Sequence, residues 1–236
     1  DICAFDHAVA LHNIPRKTMH QIIYKKDSFT PAVQSLIIKL FGKTSHAAEP
    51  LKGTNPSYAI SEIIEYAKNN EQTGEDHPEY RLITPVFVTV GSKDYGISAG
   101  YGEIHFTIRS WEQNTMEKAT ESTLEFVKKQ CDKYGLKLET EITASFASNK
   151  NDHEVVNHIA EASKTLDLEA FEKPKPFPWG EDFGLFTQHV SGAMFGLGAG
   201  ENTPALHNPD YDFPDEITPT GINMFYQIAK NICEDV

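Results

Sequence analysis

The 236-residue sequence has little of what several large protein classes require. Its three cysteines, Cys3, Cys131 and Cys233, lie far apart and form no Cys-x-x-Cys pair. This argues against a disulfide scaffold or a structural zinc knuckle and fits a reducing compartment, the cytoplasm. No apolar run approaches the ~20 residues of a membrane span. The net charge is −13, from 21 Lys and Arg against 34 Asp and Glu, so no basic stripe is present for nucleic acid. We therefore expect neither a membrane nor a nucleic-acid partner.

The first residues contain neither a signal-peptide pattern nor an initiator methionine. The expectation from this beginning is that the sequence starts partway into a gene product. The composition is otherwise that of a globular protein, with 39% hydrophobic and 23% charged residues. The length allows one large domain or two small ones. Ten histidines stand out, and their positions carry most of the functional information.

A complete small domain is predicted in the middle of the chain. Alternating hydrophobicity predicts strands at 34–41, 82–90, 103–109 and 136–143, with Val86, Val88 and Val90 alternating in the second. Helical spacing predicts one helix that opens at Pro56 and a second from about Thr115 to the stop signal at Gly135. The order strand, helix, strand, strand, helix, strand is that of the ferredoxin-like, or βαββαβ, unit.

The flanking segments are too short to form a second continuous domain. We predict that 1–26 and 146–236 pair into one discontinuous α/β domain, which 27–145 interrupts. The later segment contains a helix from Asp152, an extended Pro-rich stretch, a short helix near 181–189 and an apolar strand at 193–197. A final helix opens at Thr218 and Pro219. Its predicted inward face consists of Ile222, Phe225, Ala229 and Ile232.

Two copies of the tripeptide Leu-His-Asn, at 11–13 and 206–208, suggest a metal site. Each follows or ends an apolar strand, and ligands bind at the carboxyl ends of strands in α/β sheets. Imidazole is a common ligand of zinc and similar metals. His12 and His207 are therefore candidate ligands. The alternative is that each is a loop histidine with hydrogen bonds to the backbone, and two histidines alone fall short of the three protein ligands that a catalytic zinc normally has.

Two further positions have both a functional and a structural interpretation. His46 lies among small residues in 42–50, which would expose its side chain and let another chain approach; the alternative is an ordinary surface turn. Glu181 and Asp182 lie beside a glycine and two aromatic residues. They could line a site, or they could simply occupy the first turn of a helix, where carboxylates are favoured.

These motifs together resemble a known family. The matching segments are 10–15 (ALHNIP), 42–50 (GKTSHAAEP), 180–183 (GEDF), 196–198 (GLG) and 206–213 (LHNPDYDF). They are similar, in the same order, to the amidohydrolase branch of the two-metal aminoacylase and carboxypeptidase G peptidases, which includes hippurate hydrolases and indole-acetyl-amino-acid hydrolases. The resemblance implies a zinc-peptidase-like α/β domain, here incomplete, interrupted by a ferredoxin-like lid through which two subunits form a homodimer.

The resemblance also implies roles for individual residues. His12 and His207 match metal ligands in a site for two divalent ions, such as zinc, manganese or cobalt. His46 matches a lid histidine that reaches into the active site of the partner subunit and stabilises the tetrahedral intermediate. Glu181 and Asp182 match a motif that lines the same cleft. The expected substrates are N-acyl amino acids or small peptides.

The sequence departs from the family pattern in two places. The amino-terminal His-x-Cys-Gly-His-Asp motif and a Glu-Glu pair, which supply the other ligands and the general base in the family, do not occur here. Gly96 stands where relatives have an asparagine that binds the substrate carboxylate or the oxyanion, whereas Arg109 keeps the position of the family's strand-terminal arginine. Both positions are assigned to substrate binding.

Three hypotheses follow from the sequence. The first is a metal-dependent amidohydrolase or peptidase, active in its full-length form and inactive as these 236 residues alone. The second is a catalytically incomplete fragment or truncated homologue. The third is an interaction module that dimerises through an exposed edge strand of the ferredoxin-like unit.

Overall fold

A computed structural model describes residues 5–234, so Cys3 lies outside the described residues. The strands are β1 His7–Ile14, β2 Ile22–Tyr24, β3 Asp27–Thr30, β4 Ala32–Phe41, β5 Ser45–His46, β6 Arg81–Val90, β7 Ile97–Ser98, β8 Tyr101–Ser110, β9 Lys137–Phe146, β10 Asn149–Asn151, β11 Ala170–Glu172 and β12 Ser191–Gly198. The α-helices are α1 Ser57–Asn69, α2 Gln113–Tyr134, α3 His153–Thr165, α4 Gly184–Thr187 and α5 Thr218–Glu234. The fold is mixed α/β, as the sequence predicted.

The chain divides into two compact units, and the first of them is discontinuous. The first unit comprises the residues up to Pro31 and those from Ala147 onward, and the second comprises Ala32–Phe146. The sequence-based boundaries, 26/27 and 145/146, are corrected to 31/32 and 146/147. The reason for the larger shift is that β3 pairs with β10 in an antiparallel ribbon of the first unit, which the short polar segment at 27–30 does not reveal.

The first unit is built on a four-stranded mixed sheet in the order β1-β12-β2-β11. β1 runs parallel to β12 over its whole length, from the pair His7 and Ser191 to the pair Ile14 and Gly198. Helices α3 and α5 pack together, and their apolar residues share a core with β2 and β12. Helix α3 begins where predicted, because the Asp152 carboxylate accepts hydrogen bonds from two backbone N–H groups of the first turn.

The buried face of α5 differs from the prediction. The residues predicted to face inward include Ile222 and Phe225, but these are 63% and 40% exposed. Gly221, Met224 and Ile228 are buried instead. The helix has apolar residues on two adjacent stripes, so periodicity alone cannot choose between them. Gly221 decides the choice, because its absent side chain lets the helix approach β1; a Cβ there would lie 3.2 Å from a methyl carbon of Leu11.

The second unit is a four-stranded antiparallel sheet in the order β6-β8-β4-β9, with α1 and α2 packed against it. The four strands of this sheet and the two helices follow one another in the order strand, helix, strand, strand, helix, strand, and the short strands β5 and β7 form a separate pair. The Asn55 side chain accepts a hydrogen bond from the Ser57 N–H at the start of α1. Gly135 ends α2 in the left-handed conformation, with φ of 67°. Helix α2 begins at Gln113, two residues before the predicted start.

The second predicted strand is an edge strand, and its valines do not share a buried face. Val86, Phe87 and Val88 are consecutive, and each is between 44% and 59% exposed. The pairing of β6 with β8 shifts register between Pro85 and Phe87, which interrupts the alternation that the valines suggest. The sheet therefore presents a three-residue apolar edge to solvent.

We expect Gly198→Ala to destabilise the first unit by about 1–3 kcal/mol, the usual cost of forcing extra volume into a packed site. Gly198 ends β12, and a Cβ there would lie 1.9 Å from the backbone oxygen of Thr18. The backbone cannot yield easily, because the N–H and C=O groups of Gly198 bond Gln21 and His20 at 2.8 and 3.0 Å. Denaturant unfolding measures the change. Gly74→Ala is the control, since its nearest atom is 3.5 Å away; equal stability of the two variants would contradict the expectation.

Candidate active site

The two Leu-His-Asn motifs lie at the same edge of the first unit's sheet. His12 is near the carboxyl end of β1 and is in register with Gly196 of β12. His207 lies in the loop that follows β12 and has a left-handed φ of 67°. The amide of Asn13 donates a hydrogen bond to the hydroxyl of Tyr211, which connects the first motif to the loop that contains the second.

A cavity of about 500 Å³ opens at this edge, entirely within the first unit. Its volume lies in the range of small-molecule sites. The lining residues are His12, Ile14, Pro15, Arg16, Lys17, Phe177, Trp179, Gly180, Glu181, Ala205, Leu206 and His207. The cavity thus contains both candidate histidines and one of the two candidate carboxylates within a largely apolar wall.

The imidazole of His12 is held in one orientation by three neighbours. Its Nδ1 is 2.7 Å from the carbonyl oxygen of Asn13, which can only accept, so Nδ1 carries the proton. Nε2 faces the cavity and is 3.2 Å from Oε1 of Glu181. The indole of Trp179 packs on the imidazole with ring centroids 4.6 Å apart. A ring nitrogen with a lone pair facing a carboxylate needs a cation, either a proton or a metal ion, at this point.

The donor set fits part of a metal site. A carbonyl that fixes the Nδ1 proton and leaves Nε2 free is the usual arrangement around a metal-binding histidine. His207 lines the same cavity. Within residues 5–234, however, no group of three or more His, Cys, Asp or Glu side chains is placed to hold a metal ion. Two imidazoles can supply part of a coordination shell, and a catalytic ion needs about one further protein ligand.

Glu181 and Asp182 are adjacent in the chain but lie in different environments. Neither lies in the first turn of a helix, because α4 begins only at Gly184 after the N-cap Phe183. This excludes the helix-start interpretation of the two acids. Glu181 lines the cavity and contacts His12, whereas Asp182 is exposed and does not line it. The backbone oxygen of Asp182 accepts a hydrogen bond from Leu185.

In the second unit, the structure brings His46 and Gly96 together. β5, which contains His46, pairs with β7, and the N–H of Ala47 donates to the carbonyl oxygen of Gly96 at 2.9 Å. The exposed His46 ring accepts a hydrogen bond at Nδ1 from the N–H of Ala48, at 3.0 Å. A neutral ring with Nδ1 as acceptor has its proton on Nε2, which is then a hydrogen-bond donor. His46 can therefore donate a hydrogen bond from its Nε2–H to a ligand.

The other two substrate-binding candidates lie in the same unit. A Cβ at Gly96 would have as its nearest neighbour Oδ1 of Asp94, at 3.6 Å, so this position has room for a side chain. Arg109 is half-buried near the end of β8, in register with Val33 of β4 and Leu82 of β6. Arg109 thus lies near the end of a central strand, and its role in substrate binding stays a prediction.

Trp179 and Arg16, which line the cavity, and Tyr211, which bonds Asn13, were not predicted as site residues. Trp179 immediately precedes the motif 180–183 and Tyr211 lies inside the motif 206–213, and these motifs gave the only available signal. Burial raises the pKa of Tyr211, and the nearby Asp212 carboxylate raises it further. Its hydroxyl therefore stays protonated at neutral pH. Arg16 gave no signal in the sequence, since a basic residue after Pro15 is compatible with any loop.

The fold and the cavity define a class: a discontinuous α/β unit whose carboxyl-edge cavity contains histidines and a carboxylate. The family model "Peptidase family M20/M25/M40" matches residues 5–231. The chain therefore belongs to this peptidase family.

Two curated relatives are N-acyl amino acid deacetylases by name. The chain is 27% identical over 212 residues to an N-acetyldiaminopimelate deacetylase of Oenococcus oeni, which covers 89% of this chain and 55% of the relative. It is 21% identical to the N-acetyl-L-cysteine deacetylase of Bacillus subtilis, covering 97% of this chain and 54% of the relative. The chain thus spans about half the length of the curated relatives that it matches.

Solved structures show the same fold. A dinuclear metal-binding peptidase of the M20 family from Bacillus subtilis superposes with a TM-score of 0.78 at 19% identity, covering 98% of this chain and 58% of that one. An aminobenzoyl-glutamate utilization protein from Klebsiella pneumoniae gives a TM-score of 0.74 at 11% identity, with 96% and 55% covered. Among the described residues, no helix is long and apolar enough to cross a membrane.

Proposed function

We propose that the protein is a metal-dependent hydrolase of amide bonds in N-acyl amino acids or small peptides. The observation that carries the proposal is the geometry of His12, whose Nε2 faces Glu181 at 3.2 Å in the cavity that His207 also lines. Membership of the M20/M25/M40 family and the two deacetylase relatives support hydrolysis of an acyl–nitrogen bond. The well-separated cysteines support a cytoplasmic location.

His12 and His207 would hold the metal, with further ligands from outside the described residues. The dinuclear peptidase neighbour supports two metal ions, and we propose zinc, manganese or cobalt from the family resemblance. When bound, such ions polarise a carbonyl oxygen and generate a nucleophile from water at neutral pH. The Asn13 carbonyl keeps the Nδ1 proton of His12 in place, and Trp179 shields that ring from water. Glu181 can hold a proton or orient the substrate beside His12.

The second unit would supply the groups that recognise the substrate. His46, with Nε2 as donor, would stabilise the negative charge that develops on the carbonyl oxygen in the active site of the partner subunit. Arg109 would bind the substrate carboxylate through its guanidinium fork. Gly96 lies beside the strand that contains His46, and its missing side chain would leave space there for the substrate. Asp182 would remain at the rim, because it does not line the cavity.

The direct test is an amidase assay of the complete gene product, whose intact mass is measured first. N-acetyl amino acids are supplied with zinc, manganese or cobalt, and a chelator is then added. Hydrolysis that needs the metal and stops with the chelator is the expected result. The competing hypothesis, a catalytically incomplete chain that acts only as a dimerising module, predicts no hydrolysis with any of the three metals. That outcome would reject the proposed function.

We propose that two subunits form a homodimer by pairing through the exposed edge of β6. Unpaired edge strands pair readily with a second copy, and a lysine on such an edge is a common way to prevent this. We expect Val86→Lys to convert a dimer into a monomer, as measured by light scattering after size exclusion. Val86 is 59% exposed, so the change has little folding cost. Ile142→Lys, on the opposite edge strand β9 and 51% exposed, is the matched control; a dimer that survives Val86→Lys would rule out this edge.

A further inference from the structure

We propose that Arg16 recognises a second carboxylate on the substrate, so that the preferred substrates are dianionic N-acyl amino acids. This inference rests on the proposed function, because it concerns the cavity that contains His12 and His207. In the resemblance-based assignment one substrate carboxylate is bound by Arg109 of the second unit. Arg16 lies in the first unit and would bind a different one.

The backbone holds Arg16 in a fixed position at the cavity. Arg16 directly follows Pro15 after β1 and lines the cavity. Its N–H donates to the carbonyl oxygen of Gly200 at 2.9 Å, and the N–H of Gly200 donates to the carbonyl oxygen of Lys17 at 2.9 Å. These two hydrogen bonds hold the backbone of Arg16 at a left-handed φ of 60°. Such a conformation is costly for a residue with a side chain and is found mostly where the surroundings impose it.

Among the residues that the structure describes, no acidic side chain pairs with Arg16, a cation of this cavity. Besides its two histidines, the lining contains three residues with acidic or basic side chains: Arg16, Lys17 and Glu181. Glu181 is engaged with His12 at 3.2 Å, and the Lys17 ammonium lies 5.9 Å from the ring centroid of Phe171, which does not line the cavity. Within residues 5–234 no carboxylate forms an ion pair with Arg16. The guanidinium is exposed and available to a ligand.

The acidic character of the whole chain makes the Arg16 guanidinium stand out as a binding point for anionic ligands. The net charge is −13, so most of the surface repels anions. A cationic group at the mouth of a cavity in an acidic protein concentrates anionic ligands at that point. The planar guanidinium fork matches the two oxygens of a carboxylate, which makes a carboxylate the favoured anion.

The rest of the wall fits the carbon chain between the two ends of such a substrate. The remaining lining of the cavity is mostly apolar, with Ile14, Phe177, Trp179 and Leu206 as its larger members. A short methylene chain can pass along this wall from the amide at the histidines to a carboxylate at Arg16. The extra carboxylate could belong to the acyl group or to the amino-acid side chain, and the two sources are separable by experiment.

The test compares matched substrates with the metal-loaded complete gene product. For the amino-acid side, N-acetyl-L-glutamate is compared with N-acetyl-L-glutamine; for the acyl side, N-succinyl-L-alanine is compared with N-butyryl-L-alanine. In one pair, kcat/KM is expected to be at least about 10-fold higher for the dianion, the lower end for a hydrogen bond to a charged group. The pair that shows the preference identifies the source of the carboxylate.

The decisive variant is Arg16→Asn, because asparagine tolerates the left-handed backbone while the guanidinium is lost. We expect it to remove the preference for the dianion, lowering kcat/KM for that substrate about 10- to 100-fold. The monoanionic substrate should change by less than about twofold. Lys164→Gln removes the same charge from an exposed site on α3 and should leave both values unchanged.

Two outcomes overturn the inference: no preference in the wild type, or an equal loss for both substrates in Arg16→Asn. A wild type that hydrolyses none of the four substrates rejects the proposed function instead. In that case calorimetric binding of glutarate against butyrate decides the inference. Tighter binding of glutarate that Arg16→Asn abolishes supports it, and equal binding of the two rejects it.

Discussion

Replacing His12 or His207 by alanine in the complete gene product is expected to lower amide hydrolysis by more than about 100-fold. Loss of a group that merely orients a metal ligand already costs about 10- to 100-fold, so loss of the ligand itself should cost more. Metal content, measured by elemental analysis after gel filtration, should fall in both variants. His12 and His207 line one cavity, so the two losses should be similar in size.

The control for this experiment is His189→Ala. His189 is exposed in the same unit and lies outside the cavity that contains His12 and His207. It should keep wild-type activity and metal content. Full metal content in His12→Ala together with full activity would show that this imidazole serves the fold rather than the chemistry.

His46→Ala is expected to lower turnover by about 100- to 1,000-fold, the usual scale for the loss of one oxyanion donor. Metal content should stay unchanged, because His46 lies in the second unit and is proposed as a donor rather than a ligand. His77→Ala is a closely matched control. His77 is exposed in the same unit, and its Nδ1 accepts a hydrogen bond from the N–H of Glu79, two residues later, at 3.0 Å. The Nδ1 of His46 accepts the same kind of bond from Ala48.

Mixing two inactive variants tests whether His46 acts across the dimer. His46→Ala and His207→Ala subunits are exchanged, so that each hybrid dimer contains one active site with both histidines. Partial return of activity is expected, because one of the two active sites then contains His207 from one subunit and His46 from the other. If exchange is verified and no activity returns, His46 does not act in the active site of a partner subunit.

Much of the fold could be predicted because hydrophobic periodicity and caps are local. Strand β12, Ser191–Gly198, covers the strand predicted at 193–197, and Asp152 and Gly135 cap their helices as residues of their type do. The errors arose where tertiary contacts chose between equal local patterns. Helix α5 turned its other apolar stripe inward at Gly221, and β6 became an edge strand with consecutive exposed residues.

The site was predictable only as far as its motifs reached. The position of His12 and His207 at one sheet edge follows from strand ends in a parallel pair, which a sequence can indicate. The contacts of Glu181 with His12 and of Asn13 with Tyr211 join residues that lie about 170 and 198 positions apart. Sequence spacing contains no information on such pairs. The position of Arg16 depends on a backbone contact with Gly200 and could not be foreseen either.

The loops after β1 and β12 are joined mostly by main-chain hydrogen bonds, and the Thr18 hydroxyl, which donates to the Glu201 carboxylate at 3.3 Å, adds a side-chain bond. Ala199 bonds Ile14, Gly200 bonds both Arg16 and Lys17, and Gly198 bonds Gln21 and His20, all through N–H and C=O groups. Apart from the glycines, which leave room for the close approach, these bonds do not depend on which side chains the loops carry. The side chains at the mouth of the cavity can therefore drift during evolution while the imidazoles keep their places. The main-chain bonds thus separate the residues that can vary at the mouth of the cavity from the backbone that fixes the positions of the two imidazoles.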